Sequence, residues 1–154
     1  MSSIASESGG YKVFPRHVGK WEGLVRILDA NLQEINRHRI AQAFKAFDHK
    51  WVIENTYLYE DGTSLTHSFD IIPTGNGEVK VETAESLLRG AAMKAHEYGD
   101  NIVNFQVLNS ATGNLQELET ITLVNDQDRV RTAQIFESDG TFKGLMVIVE
   151  RRVD

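Results

Sequence analysis

Tyr57 and His67 are the two side chains whose types and spacing best suit proton transfer. They fall in two β-rich runs, 50–59 and 65–72, joined by an Asp61-Gly62 turn, so a hairpin would bring both to one cavity. An imidazole titrates near neutrality, and a phenol can donate a hydrogen bond to a carbonyl or enolate. Cofactor-free isomerisation or cyclisation is the chemistry such a pair would support; a hydrogen-bonded contact inside a passive interior is the competing reading. Other chemistries find little footing. There are no cysteines, which removes disulfides, thiolate nucleophiles and thiolate-bound metals. The five histidines, at 17, 38, 49, 67 and 96, show neither His-x-His nor His-Glu-x-x-His spacing. No Gly-x-Ser-x-Gly elbow marks a hydrolase. No metal and no cofactor is expected; His67 is the best single candidate for a haem ligand, with a satisfied core histidine the simpler reading.

Turn chemistry marks out the elements that must position these groups. Asp29-Ala-Asn31, Asp48-His49, Asp61-Gly62, Thr74-Gly-Asn-Gly77, Gly99-Asp-Asn101, Ala111-Thr-Gly-Asn114, Asn125-Asp126 and Asp139-Gly140 punctuate the chain at fairly even intervals. Between them lie runs rich in Val, Ile, Thr, Phe and Tyr, at 21–28, 50–59, 65–72, 78–83, 101–108, 115–124, 129–137 and 141–150. Residues 33–47 read as a further strand, and 83–97 as a strand entered from an irregular stretch. Pro15 and Pro73 sit at segment boundaries and break no ladder. The sum is an all-β domain over 11–154 with little helix, preceded by a flexible tail at 1–10. About nine or ten sequential strands suggest one up-and-down antiparallel β-barrel, since closure removes exposed edges; an open sandwich is the alternative.

The net charge of −6 disfavours nucleic acid and anionic membranes as partners. Arg37-His38-Arg39 reads as a solvated strand face. No run approaches the roughly 18 apolar residues that span a bilayer, and residues 1–10 lack the pattern of a secretory signal. A cytoplasmic protein with no membrane insertion is expected.

Alternation along each strand assigns an inner face. Trp21, Gly23, Val25 and Ile27 point inward, as do Trp51, Ile53, Asn55, Tyr57 and Tyr59, then Leu65, His67, Phe69 and Ile71, then Val103, Phe105 and Val107. The same rule turns Leu118, Thr120, Thr122 and Val124 inward, with Val130, Thr132, Gln134 and Phe136, and Leu145, Val147 and Val149. It places Glu117, Glu119, Arg129 and Arg131 on the outer surface, paired across neighbouring strands. The expected interior is an apolar pocket with a few orienting polar groups. Its wall would comprise Gln42, Trp51, Asn55, Phe69, Phe105, Thr120, Thr132, Gln134 and Phe136, beside Tyr57 and His67.

His17-Val-Gly-Lys-Trp21-Glu-Gly23 resembles the Gly-x-Trp opening of the calycins, the lipocalin and fatty-acid-binding-protein superfamily. In that superfamily an Arg from the last strand packs over the Trp; Glu150-Arg151-Arg152 supplies candidates here. A closer resemblance, to the calycin-like DUF3598 family, rests on that opening, the Trp51–Tyr57 strand, Glu119-Thr-Ile-Thr-Leu123, Arg129-Val-Arg-Thr-Ala-Gln134 and the closing Glu150-Arg-Arg152. The resemblance implies a calycin-type barrel. Some calycins are natural-product cyclases, bilin lyases or phenolic-acid decarboxylases, and no motif here singles out any of these.

The leading expectation is binding of a small hydrophobic or aromatic molecule in the barrel. An isomerase or cyclase of a hydrophobic natural-product intermediate, using His67 and Tyr57, is the alternative, and a filled barrel serving protein assembly is the third. An outer face bearing Leu24, Leu28, Val52 and Leu58 would permit a homodimer.

Overall fold

The structure, a computed structural model, describes residues 10–84 and 90–154. All but Gly10 of the expected tail, and residues 85–89 of the expected irregular stretch, lie outside the described residues. A 3-10 helix at Phe14–His17 leads into β1 (Gly19–Asp29), β2 (Glu34–Ala46), β3 (Trp51–Leu58), β4 (Ser64–Gly75) and β5 (Glu78–Glu82). β6 (Ala91–Tyr98), β7 (Ile102–Asn109), β8 (Leu115–Leu123), β9 (Asp128–Phe136) and β10 (Phe142–Arg152) follow. Each strand pairs antiparallel with the next, and β1 pairs with β10 from Trp21↔Arg152 to Asp29↔Gly144, so the sheet closes into a barrel. The expected hairpins form on the expected residues. At Asp61-Gly62, Asp61 Oδ1 accepts from the Thr63 backbone N–H at 2.9 Å and from its hydroxyl at 2.6 Å, while Gly62 takes φ 88°, a left-handed conformation that glycine adopts without strain.

One end of the barrel is sealed by the segment before β1. Glu97, on β6, accepts hydrogen bonds from the backbone N–H groups of Lys12 (2.9 Å), Val13 (2.6 Å) and Phe14 (2.8 Å), fastening the segment across the opening. Tyr11 bonds to Gly75 and Glu78, and Phe14 stacks on Trp51 with ring centroids 5.3 Å apart. Trp51 has no exposed surface and lies among Tyr11, Phe14 and Phe44. It therefore packs in the sealed end, below the space that it was expected to line.

On β1, β3, β4 and β7 the inner rows are those expected from alternation. On β8, β9 and β10 they are the opposite ones. Thr120, Thr132 and Gln134 lie on the outer face, the last two exposed, and Val124 and Val149 are 65% and 62% exposed. Phe136 ends β9 against the Phe142 ring at 6.1 Å, away from the interior. Glu117, Glu119 and Ile121, then Arg129, Arg131 and Ala133, then Met146, Ile148 and Glu150 face inward. Register explains the reversal. Directly opposed residues share a face of the sheet, and Phe105 stands opposite Glu119, Val103 opposite Ile121, and Gly23 opposite Glu150. With β1 and β7 fixed by their apolar rows, ring closure sets the three strands between them. Their charges go inside because they neutralise one another there.

Candidate ligand cavity

Above the sealed end the barrel holds a cavity of about 250 Å³, partly open to solvent. Ile53, Phe69, Ile71, Val81, Met93, Val103, Phe105, Val107 and Ile148 supply its apolar wall, and a polar wall runs along the inner faces of β2, β3, β8 and β9.

The polar wall is built around Glu150, 1% exposed, and Arg129, 2% exposed. Glu150 Oε1 accepts from Arg129 Nε at 2.7 Å and Arg131 Nε at 2.9 Å, and Oε2 accepts from Arg131 Nη2 at 3.0 Å. Burial alone would push the Glu150 carboxyl up, but the two guanidiniums hold it below the usual range. Burial likewise opposes the charge on Arg131, yet Glu150 and Glu119 keep it firmly protonated. Gly23 makes room for this arrangement: a Cβ there would lie 2.0 Å from the Val149 carbonyl oxygen and 2.7 Å from Glu150 Cγ.

Because a guanidinium can only donate, Arg129 fixes the orientation of its neighbours. It donates to Gln42 Oε1, so Gln42 Nε2 is the donor to Asn55 Oδ1 at 2.8 Å, and the Asn55 amide nitrogen is left on the far side from Gln42. Arg129 Nη1 lies 2.8 Å from His17 Nδ1, which must accept. Burial and the nearby Arg129 hold His17 well below its ordinary pKa, so it is neutral with its proton on Nε2, an atom without a hydrogen-bond partner.

Glu119 Oε2 lies 3.8 Å from Arg131 Nη1, and burial pushes the Glu119 carboxyl up. Glu117 is pushed up to about 7, first by burial and then by Glu119. Tyr57 is pushed up to about 12 by burial, so its phenol keeps its proton. Its ring meets that of His67 edge-on at 5.5 Å.

The structure thus gathers Tyr57, His67, Gln42, Asn55, Phe69 and Phe105 at the cavity, and leaves Trp51, Thr120, Thr132, Gln134 and Phe136 off it. Sequence reasoning missed His17, Glu117, Glu119, Arg129, Arg131 and Glu150. The available signal is the matched parity of Glu117 and Glu119 with Arg129 and Arg131, which suits a pairing across the outer surface equally well. Among the described residues no cluster of His, Asp or Glu suits a metal ion, and no helix is long and apolar enough to cross a membrane.

No protein-family model and no curated protein matches the sequence. Solved structures do match. A DUF3598-family protein of unknown function from Nostoc punctiforme superposes with a TM-score of 0.66 at 14% identity, over 91% of this chain and 49% of that one. This chain therefore spans about half the length of that relative. Rv2717c from M. tuberculosis gives 0.65 at 12% identity, over 90% of this chain and 94% of that one. The S-type phycobiliprotein lyase CPES from Guillardia theta gives 0.66 at 12%, over 99% and 94%. In fold this chain is a closed ten-stranded antiparallel barrel similar to these structures. At these identities the likeness extends to the fold alone. The last-strand Arg expected over Trp21 is Arg152, 4.4 Å from the ring centroid, and Arg129 from β9 lies at 4.3 Å as well. Both guanidiniums lie against the indole, each adding a cation–π attraction. Trp21 Nε1 donates to the His17 carbonyl at 2.9 Å, tying the calycin opening to the sealing segment.

Proposed function

We propose that the barrel binds a small, largely hydrophobic or aromatic molecule in its interior, in contact with Tyr57, His67, Asn55, Gln42, Phe69 and Phe105. The observation that carries this reading is the cavity itself. Protein interiors are close-packed, with few voids larger than a water molecule. Here the barrel interior holds a space far larger than a water molecule, lined mainly by apolar side chains with a few polar groups, as a ligand pocket is. An engineered apolar cavity of about 150 Å³ admits benzene, so 250 Å³ leaves room for a molecule of one or two rings. The isomerase or cyclase alternative is not favoured: Tyr57 keeps its proton and can donate a hydrogen bond to a bound carbonyl, but a binding protein would use that donor equally well.

Calorimetric titration with 2-phenylethanol and indole tests the reading, alongside Val107→Phe, which fills the cavity from β7. The wild type is expected to bind at least one probe saturably at one site, and V107F to lose that binding. Equal binding by both proteins, or none by the wild type, overturns the reading.

A further inference from the structure

The cavity's polar wall carries one more carboxyl group than it has cations to match. Glu117, Glu119 and Glu150 face inward with only Arg129 and Arg131. Glu150 takes three hydrogen bonds from the two guanidiniums, and Glu119 stands against Arg131. Glu117 is the surplus group: it borders the cavity and makes no hydrogen bond or ion pair among the described residues. Its direct cross-strand neighbours are apolar, Val107 on β7 and Ile135 on β9. The titratable or charged groups that face the same interior are Glu119 from β8, Arg129 and Arg131 from β9 with Glu150 from β10 against them, Tyr57 from β3, His67 from β4 and the neutral His17 from the sealing segment. The rings of Tyr57, Phe69 and Phe105 line the same cavity.

We propose that the ligand is a small hydrophobic amine, whose ammonium group pairs with Glu117 while its apolar body lies against the aromatic wall. This rests on the apolar-ligand reading above and names its polar group. An ammonium would supply the third positive charge, and in a desolvated site a charge-assisted hydrogen bond is stronger than a neutral one. Aromatic faces add attraction for a cation. A neutral ligand leaves Glu117 unmatched, and an anionic one increases the surplus. Burial and Glu119 hold a proton on part of the Glu117 population at neutral pH. Binding therefore converts an ammonium ion and a carboxylic acid into an ammonium–carboxylate pair and one proton released to solvent. Affinity should rise about tenfold from pH 6 to pH 8 as Glu117 loses that proton unaided, with about half a proton released per ligand at pH 7.

The test compares 2-phenylethylamine with 2-phenylethanol by calorimetry at pH 6, 7 and 8, in buffers of different ionisation enthalpy, on wild type and Glu117→Gln. The expected result is a preference for the amine on the order of tenfold or more, with proton release in the wild type and a preference reduced to near unity in E117Q. The proton count needs no variant, so it stands even if E117Q folds poorly. Wild type that binds amine and alcohol alike, with no proton released, overturns the amine and leaves the apolar-ligand reading intact. Wild type that binds neither overturns both.

Discussion

Replacing Glu117 with Gln should make the unliganded protein more stable at pH 8 and leave it almost unchanged at pH 4. The carboxyl is raised from 4.5 to about 7 in the folded state. Between those values the folded protein retains a proton that the unfolded chain has lost, so stability falls as pH rises through the window and levels off above it. Each unit corresponds to 1.36 kcal/mol, giving an upper bound of about 3 kcal/mol at pH 8. Gln has nearly the same shape and cannot ionise, so it escapes this loss. It also removes the repulsion that Glu117 exerts on Glu119. For a domain of this size, 3 kcal/mol corresponds to a rise in Tm of roughly 6–12 °C. Urea unfolding followed by the fluorescence of buried Trp21 and Trp51 at the two pH values measures the difference directly. An equal shift at both pH values, or a less stable variant at pH 8, refutes the placement of Glu117 in a desolvated wall. A stabilising substitution at this residue would also be the signature of a group retained for binding rather than for folding.

Other substitutions test the rest of the barrel. Glu150→Ala strands two buried guanidiniums and should cost about 3–5 kcal/mol in urea unfolding; a loss below about 0.5 kcal/mol, normal for a surface site, would contradict the buried network. Gly23→Ala drives a methyl group into the Val149 carbonyl and the stem of Glu150, so its urea midpoint should fall by the equivalent of about 3 kcal/mol or more; a midpoint equal to wild type would show that the β1–β10 seam yields more easily than its geometry implies. Glu97→Ala removes the acceptor for three backbone N–H groups. Hydrogen exchange at Val13 and Phe14 should accelerate at least about tenfold, and unchanged protection would mean that the aromatic packing alone holds the sealing segment.

Strand boundaries were legible because turn residues are chosen by local backbone geometry. Asp61-Gly62 and Asp139-Gly140 declare their hairpins without reference to the rest of the fold. The inner rows of β1, β3, β4 and β7 were legible for a different reason: their apolar residues occupy every second position, and burial rewards that pattern directly. β8 to β10 break the rule because burial there is decided by pairing. A lone inward Arg129 or Glu150 would be ruinous, and only the set of Arg129, Arg131, Glu119 and Glu150 makes the inner face tolerable. No single strand reveals that set. Closure of the ring defines it, since Phe105 and Gly23 both face inward and each has a carboxylate opposite. Trp51 marks a second limit. Alternation gave its direction but not its height, and height separates the sealed end from the cavity.

The pairing of the first strand with the last also governs when the cavity comes into existence. As the chain is synthesised, β1 has β2 on one side and an open edge on the other until β10 arrives. Glu150 travels on that final strand and stands opposite Arg129 across the β9–β10 ladder, so the guanidiniums meet this carboxylate as soon as the last hairpin forms. Their burial and the closing of the cavity wall wait for the seam with β1. A ligand that recognises the complete cavity meets only the finished barrel, where it can slow the reopening of the seam without guiding its formation.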